Sequence, residues 1–185
     1  VVTSVVRGQL EGIVLDAGDG SVEVLGGGER AGVQLRRRDE AAFGHTPDVE
    51  RVVRNGMLRL RGRCPRGVLT SCKSSWRLVV PDNIPVTVVT DDGDVAMRGF
   101  RGSARLRTVS GHVTVRQFCG FALEARTETG AVDADVTCPL ARLSLRSRDG
   151  DVRAAVPTGR YRLDAVSDEG DETIDGITAA DEAPF

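Results

Sequence analysis

The sequence predicts an all-β protein: a single-domain parallel β-solenoid with about five regular rungs and an irregular N-terminal β region. Three observations carry that prediction. Gly93, Gly111, Gly130, Gly150 and Gly170 recur at intervals of 18, 19, 20 and 20 residues, each with Ser or Thr three positions earlier. Apolar residues alternate with polar ones on both sides of these glycines, the period of a half-buried strand. Aromatics make up only 4% of the 185 residues, Gly numbers 22, and the apolar residues are largely Val, Leu and Ala, a composition of short strands and tight turns.

Along the chain, residues 12 to 35 carry a weak form of the theme. Ile13 and Leu15, a turn at Ala17 to Ser21, Val22 and Val24, a break at Gly26 to Gly28, then Val33 and Leu35 read as earlier, irregular rungs or as a small abutting sheet. From Arg36 to His45 the residues are polar and read as a loop. Thr46 and Pro47 offer a helix cap and first position. Asn55-Gly56 between two apolar runs is instead a hairpin signal, and the hairpin is the favoured reading. Trp76 to Val80 alternates up to Pro81 and leads into the repeats. The organisation expected is therefore residues 1–80 as the irregular region, continuous with regular repeats over 81–185.

Within the repeats, the positions two and four before each Ser or Thr are all apolar: Val88 and Val86, Leu106 and Ala104, Ala125 and Leu123, Leu145 and Leu143, Ala165 and Leu163. After each Gly a second strand begins, with Val95, Val113, Val132 and Val152 two positions on. Gly supplies the positive φ or the close packing that the bend needs, and neighbouring Asp and Ser supply local turn hydrogen bonds. A second break follows at Gly102, Gly120, Pro139 and Gly159. One such unit of about 19 residues cannot bury its own apolar face, so stacked copies share a core. The fifth repeat departs, with Glu172 where Val is expected; it reads as a polar cap or as a rung before a further strand. An antiparallel sandwich also uses strands at this spacing, but the shared register favours the solenoid.

The run SWRLVVPDNIPVTVVTDDGDV, followed by TVSGHV, TETGAV and SRDGDV, resembles the bacterial putative-adhesin family, a domain-of-unknown-function family of β-strand repeats. The resemblance covers residues 76 to 170 well and the rest loosely. It implies a solenoid often carried outside the cytoplasmic membrane behind a membrane helix, and it brings no catalytic residues. The four cysteines, with a short cysteine loop at 64 to 72, depart from the family pattern.

Cys119 and Cys138 each stand eight residues after their repeat Gly. In a stack they share a column about 4.8 Å apart, inside the window for a disulfide. Cys64 and Cys72 then pair across a loop containing Pro65 and Gly67. Two disulfides point to an oxidising, extracytoplasmic or cell-surface setting. The alternatives are four reduced thiols, or a zinc site assisted by His45 and His112, which lacks any CxxC spacing.

Charge announces no partner: 25 basic and 27 acidic residues give a net charge of -2, without the footprint of a nucleic-acid binder. No apolar run is long enough to span a bilayer, and an anchor ahead of Val1 is left open. Asp91, Asp92, Asp94, Asp149, Asp151, Asp168, Glu169 and Asp171 gather at one corner, but His112 and Ala131 interrupt the column. Ordinary turn chemistry is therefore preferred to calcium binding, and no cofactor or metal is expected. His112 reads as a solvated turn residue. Arg107, Arg126 and Arg146 form an outward column in which neighbouring charges repel by about 0.9 kcal/mol in bulk water. They must splay, pair with acids such as Glu128 or Asp149, or meet an anion or partner. Gly26 to Ala31 superficially fits a dinucleotide fingerprint, but strand rather than helix follows. No nucleophile arrangement is recognisable. The expected function is a non-enzymatic envelope interaction module with a protein or envelope component as partner. The alternatives are a self-assembling scaffold and, by fold analogy alone, a carbohydrate-active enzyme.

Overall fold

The computed structural model describes residues 1–27, 32–41, 47–64, 72–158 and 162–176. Among them there is no helix, and none therefore long and apolar enough to cross a membrane. The strands before the repeats are β1 (Val2–Arg7), β2 (Gly12–Asp16), β3 (Val22–Gly26), β4 (Gly32–Ala41), β5 (Asp48–Arg54), β6 (Met57–Arg63) and β7 (Cys72–Val80). The repeats supply β8 (Val86–Asp92), β9 (Val95–Arg98), β10 (Ala104–Ser110), β11 (Val113–Phe118), β12 (Ala122–Thr129), β13 (Val132–Val136), β14 (Arg142–Asp149), β15 (Val152–Ala155), β16 (Leu163–Glu169) and β17 (Glu172–Asp175).

These strands form two sheets. Each repeat gives its first strand to an eight-stranded sheet, ordered β16-β14-β12-β10-β8-β2-β6-β5. Its second strand joins a nine-stranded sheet, ordered β1-β4-β7-β3-β9-β11-β13-β15-β17. Neighbouring repeat strands run parallel and in register. Val86, Ala104, Leu123, Leu143 and Leu163 make one inward column, and Val95, Val113, Val132, Val152 and Glu172 another. The inward side chains of both sheets merge into one apolar cluster running from Val6 to Val156. A bulge between Val115 and Phe118, with Gln117 at φ 53°, turns Phe118 into this core beside Phe100, ring centroids 6.3 Å apart.

The N-terminal half is woven in rather than laid before the repeats. β2 pairs in parallel with both β6 and β8, and β3 with both β7 and β9. β2 and β3 thus lie between β6 and β7 on one side and the first repeat on the other, so β7 precedes the repeats in sequence without pairing with a repeat strand, and reaches them only through the ion pair of Lys73 with Asp92 at 3.5 Å among the described residues. The expected polar loop after Arg36 is instead strand up to Ala41, because the partner strand β7 makes the polar residues useful. Arg37 lies 5.6 Å over the buried Trp76 ring and pairs with Asp39, and Asp39 accepts a hydrogen bond from Ser74. Of the two readings near Thr46, the hairpin holds: β5 and β6 are antiparallel, with Asn55 at φ 49° and Gly56 at φ 71°. Thr46 itself lies outside the described residues, as do Gly28 to Ala31, His45, the loop with Pro65 and Gly67, the break at Gly159 and the last nine residues.

The bend between the two strands of a repeat is an interlocked column. Gly130 has φ 134°, and a Cβ there would stand 2.2 Å from the carbonyl oxygen of Gly111, so positive φ and close approach both operate. The Ser or Thr three positions earlier turns its hydroxyl to the layer below, and Thr127 alone among them also approaches a carbonyl of its own turn, that of Thr129 at 3.2 Å, among the described residues. Thr108 donates to Gly93, Thr127 to Gly111, Ser147 to Gly130 and Ser167 to Gly150, at 2.8 to 2.9 Å. Thr90 donates to Gly18 and Gly20 in the same way. The buried hydroxyls of Thr90, Thr108, Thr127 and Ser147 are thus satisfied by backbone carbonyls one layer away.

Candidate functional site

Strand alternation sends every second residue of the eight-stranded sheet outward, so the parallel register fixes which side chains become neighbours. Arg107 stands opposite Arg126, and Arg126 opposite Arg146, at a strand spacing of about 4.8 Å. Flanking acids neutralise the two outer members. Arg107 faces Glu128 at 3.7 Å, and Arg146 reaches Asp164 on the next strand rather than Asp149 on its own. Arg105 pairs with Glu124 at 3.0 Å. Arg126, between two like charges, makes no ion pair among the described residues.

The same face holds three further arginines that sequence reasoning did not select. Arg142 and Arg162 share a column, both five positions before their repeat Ser, and Arg148 follows Ser147. Among the described residues none of the three forms an ion pair. Their shared offset was the available signal, but repulsion within a single column drew attention to Arg107, Arg126 and Arg146 instead. The assembled face is an exposed surface on which β10, β12 and β14 carry six arginines against Glu124, Glu128 and Asp149, with Arg162 just ahead of β16 beside them. Arginine on such a surface suits planar anions such as carboxylate and phosphate, which it meets with two parallel hydrogen bonds.

The acidic corner is built differently. Asp94 accepts the N–H of His112 at 2.8 Å, His112 Nδ1 accepts the N–H of Ala131 at 2.9 Å, and Asp151 accepts the N–H of Asp171 at 3.2 Å. Asp94, His112 and Asp151, each just after a repeat Gly, hold the backbone of the next layer. His112 is exposed at its turn and also serves as a structural acceptor. Burial, reinforced by the carboxylates of Asp91 and Asp92, pushes the carboxyl of Asp19 above its ordinary value. On the other sheet two hydrogen bonds from Arg116 hold the Asp133 carboxyl below its ordinary value. No group of three or more metal-ligating side chains converges among the described residues.

The structure joins Cys119 to Cys138, with Cα atoms 4.8 Å apart, and Cys64 to Cys72, at 5.7 Å. The first bond links neighbouring layers at the corner opposite the glycine column. The second joins the end of β6 to the start of β7.

A family model described as Toastrack DUF4097 matches residues 79–183. Among solved structures, a putative cell adhesion protein from Clostridium sporogenes ATCC 15579 aligns over 95% of this chain and 99% of its own, with 10% identity and a TM-score of 0.54. A putative adhesin from Bacteroides fragilis NCTC 9343 aligns over 95% and 96%, with 13% identity and a TM-score of 0.47. No curated protein matches the sequence. The first likeness shows a common fold for the whole chain.

Proposed function

Because this chain belongs to the Toastrack DUF4097 family, we propose that it is a non-enzymatic interaction module of the cell envelope. It works outside the cytoplasmic membrane, and it is a parallel β-solenoid whose regular part has five rungs. The observation that carries the reading is the outward face of β10, β12 and β14, where Arg126, Arg142 and Arg148, with Arg162 just ahead of β16, lack acidic partners among the described residues on a regular, exposed surface. Such a face suits an anionic envelope component or an acidic partner protein. Two disulfides support an oxidising compartment, and the name of the Clostridium sporogenes protein supports an adhesion-type role.

The test is binding of the purified chain to isolated cell envelopes, with Arg107, Arg126 and Arg146 replaced together by Gln, and a second variant that replaces Arg142 and Arg162. Retention should fall in both variants and with salt, since exposed charges are screened beyond about 10 Å at 0.1 M. Unchanged retention in both would overturn the reading. Incubation with cell-wall polysaccharides checks the non-enzymatic part: new reducing ends would make the protein an enzyme. A second reading, a scaffold assembling end to end, is favoured by the strands at which each sheet ends, which have no further partner among the described residues.

A further inference from the structure

Each end of the strand stack exposes one edge from each sheet. At one end these are β16 and β17, at the other β5 and β1, and among the described residues nothing lies beyond them. In the eight-stranded sheet the two edges are equal in length, seven residues for β16 and for β5, while in the nine-stranded sheet β17 has four and β1 six. Both ends show apolar side chains to solvent, Ile174 at one and Val2, Val5, Val52 and Val53 at the other. An unpaired edge of this kind presents a row of backbone donors and acceptors to any second strand.

Charge distinguishes the two ends. From Leu163 to Asp175 there are six acids, Asp164, Asp168, Glu169, Asp171, Glu172 and Asp175, and no base, a net charge of -6. The strands behind that edge, β14 and β15, add four arginines against one acid, so the outer two layers there come to -3, whereas the outer two layers at the other end, β1, β4, β5 and β6, carry nine arginines against four acids, +5. Two acidic ends repel each other, as do two basic ends. An acidic end and a basic end attract, so charge selects one of the three ways in which two copies can stack. Glu172 shows how the acidic end stands when alone: it occupies a column otherwise made of Val, and its carboxylate accepts the edge N–H of Ser167 at 2.8 Å. A guanidinium from the basic end is a better partner for that carboxylate than water.

We infer that the chain associates head to tail with a second copy of itself, β5 of one copy docking on β16 of the next and β1 beside β17. The contact is heterologous: it does not close on itself, so it generates open chains of copies. The inference does not depend on the arginine face, whose arginines stand on β10, β12 and β14, behind the end strand β16.

Sedimentation velocity of the full chain tests it, over a concentration series at about 50 mM and about 500 mM salt, where the screening length falls to a few ångströms. The mean mass should rise with concentration at low salt, with an association constant at least about tenfold weaker at high salt. Val53→Asp blocks the basic end and Ile174→Lys the acidic end, both at exposed positions. Each variant alone should stay monomeric, and a one-to-one mixture should form a dimer and nothing larger. If Ile174→Lys fails to fold, Thr173→Lys serves the same end. A monomeric native chain at low salt, a single variant that still assembles, or a mixture that stays monomeric would each overturn the inference.

Discussion

The column of glycines is where a single residue decides most. At Gly130 a methyl group meets two separate obstacles: φ 134° is strained for an L side chain, and the Gly111 carbonyl oxygen lies 2.2 Å from the added carbon. Gly8 separates the two, since its φ is 129° but no atom lies within 4 Å of a Cβ there. Gly8→Ala should therefore cost about 1–2 kcal/mol of backbone strain alone. Gly130→Ala should cost about 3 kcal/mol or more, because two stacked layers must also move apart. Urea unfolding of the two variants measures the difference. Equal losses would mean that conformation, and not the stacking of one layer on the next, is what glycine serves here. The hydroxyl beside each glycine was harder to read. Ser and Thr before a turn suggest a bond within that turn, whereas Ser147 reaches Gly130, seventeen residues back. Only the stacking register reveals such a partner.

At the scale of the element, the repeat strands were legible because an apolar period of two combined with an interval of 18 to 20 residues places equivalent side chains in columns. That placement brings Cys119 beside Cys138. In the chain-entropy account, cross-linking a loop of this size stabilises by about 3 kcal/mol. Replacing both cysteines by Ala should lower the unfolding free energy in urea by about that amount. A loss under about 1 kcal/mol would show that the parallel pairing of the flanking strands already confines this corner. β4 was misread for the opposite reason. A run of three arginines, an aspartate and a glutamate looks like loop when taken alone. It becomes strand because Trp76, thirty-nine residues on from Arg37, offers an aromatic face, and Ser74 offers Asp39 a hydroxyl. The arginine face was partly legible. The column of three followed from register, while the cations left unpaired depend on which neighbouring acid each guanidinium reaches.

At the scale of the whole molecule, the order of layers is the feature least visible in the sequence. Periodicity says which residues share a column but not which layer lies next to which, and chain neighbours are usually neighbours in space. Here β2 and β3 sit between β6 and β7 on one side and β8 and β9 on the other. Ile13 and Leu15 therefore cover Val86 and Val88, and Val22 and Val24 cover Val95 and Met97, all of them almost fully buried. A simple repeat array loses stability in proportion when it is shortened, since each unit touches only its neighbours. This chain should behave differently. A fragment of residues 81–185 has the repeats and nearly the whole family match, but it exposes the inner columns of β8 and β9 together with the open edges of both strands. It should bind a hydrophobic dye, associate, and lack the single sharp urea transition expected of the full chain. A monomeric 81–185 fragment that unfolds cooperatively would show instead that the N-terminal half is an attachment. The same topology ties the first repeat to residues about seventy positions earlier, so the full chain should refold slowly, in milliseconds to seconds or longer. Residues 79–183, the stretch that defines the family, then depend on the N-terminal half to close their first layer.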